Sequence, residues 1–99
     1  MAYDPGALEI ALAAAVGDDP ALVGELRAAF LESVNAHADA MKRAQTASDW
    51  QMATWRLKGV AASFGATRLM DVADRAAASQ PGDEDILRQI ARSIASFRN

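Results

Sequence analysis

The chain has 99 residues, which fits one small domain with a single core and little room for a deep enzyme cleft. Its net charge of −3 argues against general nucleic-acid binding, which needs a basic surface. The absence of cysteine excludes disulfides, thiolate zinc sites and cysteine nucleophiles. Hydrophobic residues make up 52%, enough for a packed core, and alanine fills 24 positions while Val and Thr are few. Alanine has the best helix propensity and strands favour β-branched residues, so an all-α protein is expected. The longest apolar run, Ile10 to Val16, is too short to cross a bilayer. Met1-Ala2-Tyr3-Asp4 lacks the basic region of a signal peptide. A soluble cytoplasmic protein with no membrane partner is the expectation.

Asp4-Pro5 predicts a helix start, with an N-cap and then proline at the first helical position. Leu8, Ala11, Leu12 and Ala15 follow at helical spacing, and Gly17 closes this short leading helix. Asp19-Pro20 repeats the start signal. Behind it Leu22, Leu26, Phe30, Val34, His37, Met41 and Ala44 recur every three or four residues and line one face of a long helix ending near Gln45. The opposite face carries Glu25, Glu32, Asp39 and Arg43. Thr46-Ala47-Ser48-Asp49 is a polar break in which Thr46 and Asp49 resemble a capping box, with Ser48 as an alternative cap.

The next helix runs to about Phe64, with Trp50, Ala53/Thr54, Leu57, Ala61 and Phe64 inward, and Gly65 ends or bends it. Thr67 is the expected cap of a further helix with Leu69, Val72, Ala73 and Ala76 inward. Pro81-Gly82 is a turn, and Asp83 caps a last helix with Ile86, Ile90, Ile94 and Phe97 on one face. Leu26, Phe30, Leu57, Ala61, Leu69, Ile90 and Ile94 should share one core. Short connections between amphipathic helices predict an antiparallel four-helix bundle with a short N-terminal helix.

The informative segment runs from Trp55 to Ala66. At 100° per residue Leu57 points inward and Trp55 lies about 160° away. Gln51, Lys58, Gly59 and Ala62 fall within about 60° of Trp55 on the outer face. Gly59 sits mid-helix, where it costs roughly 1 kcal/mol against alanine. Either another helix packs tightly there or another molecule approaches the backbone, and the outward phase favours the second. His37, the one histidine, lies between Val34 and Met41 on the apolar stripe and reads as a core-edge or capping residue.

Arg56, Leu57, Lys58, Gly59, the small residues Ala61, Ala62 and Ser63, and then Gly65-Ala66 resemble the signature of histidine-phosphotransfer (HPt) domains. That family reads His-x-Leu-Lys-Gly, then small residues, then Gly. Leu69 and Ala73 match its continuation, Phe30-Leu31 its preceding helix and Asp49 its connection. The resemblance covers essentially the whole chain as a single domain, residues 1–99, and implies the four-helix bundle with receiver or histidine-kinase domains as partners. It also implies that Lys58 offsets phosphoryl charge.

The departure is at Trp55, which stands where the family places its phosphoacceptor histidine. Phosphoryl transfer needs a nucleophilic ring nitrogen, and the indole nitrogen is a donor only. The expectation is therefore a monomeric module that docks through Gln51, Trp55, Arg56, Lys58, Gly59 and Ala62 but has no catalytic residue, metal or cofactor. The alternatives are an active phosphotransfer protein, with Trp55 an engineered change or with His37 acting, and an unrelated helical scaffold. Metal-ligand clusters, phosphate-binding glycine loops and Ser-His-Asp spacing are not evident.

Overall fold

The computed structural model describes residues 19–98, together with Ala14 and Gly17. Four helices run in chain order: α1 (Pro20–Arg43), α2 (Ala47–Ser63), α3 (Thr67–Ala77) and α4 (Glu84–Ala95), with a 3-10 turn at Ser96–Arg98. No strand occurs among the described residues. The leading helix expected between Asp4-Pro5 and Gly17 lies outside them, apart from Ala14 and Gly17.

Local chemistry sets most helix ends. Asp19 Oδ1 accepts from the Ala21 and Leu22 N–H groups at 3.0 and 3.4 Å, and Pro20 occupies the first turn. Thr46 Oγ1 accepts from the Asp49 N–H at 3.1 Å, so Thr46 rather than Ser48 caps α2. Asp49 itself lies in the first turn of α2 rather than in the connection. Asp83 accepts from the Ile86 N–H at 3.2 Å and from the Ser79 hydroxyl. The Ser79 bond first, and then the backbone donors, hold the Asp83 carboxyl below its ordinary value.

Gly65 ends α2. It adopts φ +67°, a conformation that side chains disfavour. Its N–H bonds the Ala62 carbonyl at 3.2 Å while the Ala66 N–H reaches the Ala61 carbonyl at 2.9 Å, the Schellman closure of a helix. This tight closure displaces the expected cap of α3. Ala66 holds the cap position without a side-chain bond, and Thr67 is the first helical residue. The Thr67 hydroxyl and N–H both donate backwards to the Gly65 carbonyl, at 3.3 and 2.9 Å.

Each helix packs on the next, and α4 returns against α1. The shared core includes Phe30, Val34, Met41, Trp50, Leu57, Ala61, Leu69, Ile90 and Ile94. At one end the Phe30 ring meets Phe64 at 4.8 Å and Phe97 at 5.1 Å, the latter edge-on at 89°. Along the apolar stripe of α1 Phe30, Val34 and Met41 are buried, and Leu26, His37 and Ala44 are half-buried. Leu22 is exposed, against the expectation, while Leu26 is half-buried and packs against the core. The reason is length. Phe30 already meets the residue that closes α2 and the turn that closes α4, and Leu22 lies roughly 12 Å further along α1.

The Thr54 hydroxyl is buried with no hydrogen-bond partner. Thr54→Val keeps the shape and removes that orphaned oxygen. The substitution should raise unfolding stability by about 1 kcal/mol in urea titrations, and a loss of stability would show that the hydroxyl has a partner in solution.

Candidate functional site

The site is built outward from a buried residue. Trp50 is fully buried, and its indole N–H donates to the Ala76 carbonyl at 2.8 Å. That carbonyl also accepts from the Ser79 N–H at 2.9 Å. Next to it Gln51 Nε2 donates to the Ala77 carbonyl at 2.6 Å. These bonds tie the first turn of α2 to the last turn of α3.

Five residues after Trp50, a helical rotation of about 140°, comes Trp55. Its side chain is 79% exposed. Met52, three residues earlier on the same side, is 54% exposed. Both border an open groove of about 480 Å³ between α2 and α3. Gln51, Lys58, Ala73 and Asp74 also line it. An indole and a thioether facing solvent beside a groove form an apolar patch that a second molecule would cover favourably.

Of the six residues expected at the site, the structure places Gln51, Trp55 and Lys58 together along this groove. Gly59 and Ala62 are exposed on α2 but do not line it. A Cβ at Gly59 would meet nothing within 4 Å, so tight helix packing does not explain this glycine. Arg56 is exposed but turns to the α1 side, where it borders a second hollow with His37, Arg43 and Asp49. His37 is half-buried there. Burial first, and then the Arg56 charge, lower its proton affinity.

Two features of the groove were not anticipated. Lys58 Nζ makes an ion pair with Asp74 Oδ1 at 2.6 Å, with 39% and 55% of the two side chains exposed. A pair this exposed adds little stability but cancels much of the local positive charge. Met52 could have been found from helical phase, since it lies about 60° from Trp55. Asp74 carries no such signal, because only the pairing of α2 with α3 brings it to Lys58. Among the described residues no group of three His, Asp or Glu side chains is placed to hold a metal ion.

A scan against family models found no match to this chain, and searches of curated proteins and of solved structures found no significant match. The likeness to phosphotransfer domains therefore rests on the residues of α2 and their surroundings alone.

Two measurements test this geometry. Gly59→Ala should stabilise the fold by about 1 kcal/mol, because a methyl group meets no obstacle and alanine is the better helix former; thermal melts would detect it, and destabilisation would expose an unseen contact. His37 contributes a pH effect of definite sign. Its folded value lies below the unfolded value of about 6.5, so in acid the unfolded chain binds more protons. Stability associated with neutral His37 is present above that value and is lost as pH falls toward the folded one. Chemical denaturation between about pH 7 and 5 should show that fall, and His37→Gln should flatten it.

Proposed function

We propose that this chain is a docking module of the histidine-phosphotransfer type, one that binds receiver or histidine-kinase domains without carrying phosphate. The observation that carries the reading is the 79% exposure of Trp55, at the position where the resemblance puts the phosphoacceptor. A core tryptophan would have refuted it.

Several contacts support the bundle architecture that such a module requires. The start of α2 is tied to the end of α3 through Trp50 and Ala76. Arg75, late in α3, bonds Gln89 in the middle of α4 at 2.6 Å. Phe30, in the first half of α1, meets the residue closing α2 and the turn closing α4. These pairings favour antiparallel neighbours, four helices in an up-and-down ring.

The chemistry of the face favours binding over transfer. The indole nitrogen donates a hydrogen bond but offers no lone pair to attack phosphorus. A large, rigid, exposed ring is well suited to anchor an interface. The acidic phosphorylation site of a receiver domain would compete with Asp74 for Lys58, exchanging one exposed ion pair for another that is better shielded on docking.

Calorimetric titration against a panel of receiver and kinase domains, paired with thermal melts, tests the reading. Trp55→Ala should weaken binding by about 2 kcal/mol, or roughly thirtyfold, while hardly moving the melting temperature. Asp74→Asn should strengthen binding to an acidic partner, more at low salt than at high salt. In a transfer assay with a phosphorylated receiver, the unmodified chain should stay unlabelled and Trp55→His should gain acid-labile label. Label on the unmodified chain would overturn the proposal, and mapping it to His37 would make this a phosphotransfer protein of another kind.

A further inference from the structure

The hollow between α1 and α2 has a volume of about 260 Å³. His37 and Arg43 border it from α1, and Asp49, Met52 and Arg56 from α2, with alanines supplying the rest of its lining. Met52 and Arg56 are four residues apart on one face of α2, and Arg43 is the last residue of α1. Two guanidinium groups from different helices thus open on one concavity.

Neither is neutralised among the described residues. Lys42, Lys58 and Arg88 pair with Asp39, Asp74 and Asp85, whereas Arg43 and Arg56 are exposed and make no ion pair. Asp49 is the one carboxylate among the described residues that lines the hollow. It lies in the first turn of α2, where a helix N-terminus favours negative charge. With His37 neutral, two cations face one anion, a positive spot in a chain whose net charge is −3. Among the described residues α3 and α4 contribute no titratable group to the lining. Burial first, and then the Arg56 charge, disfavour a proton on His37. An anion that compensates Arg56 would remove the second of these penalties.

The hollow also adjoins the Trp55 face. Met52 borders both the α2–α3 groove and this hollow, and Arg56 follows Trp55 directly. A partner that covers Trp55 and Met52 would bring its neighbouring residues over Arg56.

We propose that this hollow receives an acidic segment of the docking partner, with Arg43 and Arg56 each taking a carboxylate and His37 taking up a proton on binding. Carboxylate side chains along a peptide fit it better than phosphate. The guanidinium groups come from two helices, so each can meet its own carboxylate in fork geometry. A single dianion drawn into the hollow would also meet Asp49. Exposed Met52 and the alanines suit the apolar stems of such a segment. That the segment belongs to the partner covering Trp55 rests on the docking reading above; the affinity of the hollow for carboxylates does not.

Titration of the full chain with a hexa-aspartate peptide, followed by calorimetry and by NMR of the His37 imidazole, tests the proposal. Hexa-asparagine and inorganic phosphate are the comparison probes. At low salt hexa-aspartate should bind saturably and hexa-asparagine should not. Arg43→Gln and Arg56→Gln should each weaken binding by about threefold to fivefold, the worth of an exposed ion pair. Arg88→Gln removes an equal charge from α4 and should leave it unchanged. Saturation should raise the titration midpoint of His37, so affinity should rise as pH falls from about 7.5 to 6, and His37→Gln should abolish that rise. Absence of saturable binding, equal binding of phosphate, an equal loss in Arg88→Gln or an unmoved His37 midpoint would overturn the proposal. The docking reading fails separately. A receiver domain bound through Trp55 but indifferent to Arg43→Gln and Arg56→Gln would keep that reading and overturn this inference. Hexa-aspartate binding with no receiver or kinase domain bound would keep the hollow and overturn the docking reading.

Discussion

The buried indole of Trp50 is the interaction on which the rest of the α2–α3 surface depends. It combines the largest fully buried side chain of the core with a hydrogen bond to a specific carbonyl, that of Ala76. Hydrophobic burial alone tolerates sliding and rotation between two helices. A directional bond to one carbonyl does not, because a shift by one residue leaves the buried indole N–H without an acceptor. Gln51 repeats the constraint one residue on, at Ala77. Together they fix how α2 is turned and how far along α3 it sits. The aromatic contacts of Phe30 with Phe64 and Phe97 anchor the opposite end of the core.

Once α2 is held this way, its outer face is determined. Trp55 must project to solvent, Met52 must flank it, and Lys58 must reach Asp74. The exposed tryptophan is costly to a free protein, since a large apolar ring gains nothing from water. On the proposed reading, a surface that keeps it beside a groove and an easily exchanged ion pair serves association. Gly59 fits the same picture. It gives up helix stability on an open face where no neighbouring helix needs the space.

The short helix α3 separates two unlike environments. On its α2 side Asp74 neutralises Lys58 along a groove edged by apolar side chains. On its α4 side Arg68 and Arg75 join Arg92 around a hollow that no carboxylate among the described residues lines. Two neighbouring residues, Asp74 and Arg75, thus turn to different sides of α3, 100° apart around its axis. Net charge conceals this division, because an acidic average says nothing about where the cations gather.

Much of the architecture was legible in the residues themselves. Asp19-Pro20, Thr46, Gly65 and Asp83 mark helix ends through bonds to neighbours a few residues away, and such local chemistry can be read without a fold. Helical phase within α2 likewise determined that Trp50 and Leu57 face inward and Trp55 outward, since 3.6 residues per turn is a property of the backbone. The limits of that reading are equally physical. Thr67 carries a good capping side chain, yet the closure at Gly65-Ala66 left it no cap position to fill. Leu22 matches the apolar stripe, but coverage depends on how far the other helices extend. The Lys58–Asp74 pair and the arginine hollow join residues of different helices. Their meeting depends on the register between helices, which only tertiary structure decided, because that register is set by core contacts distant in sequence and not by any local periodicity.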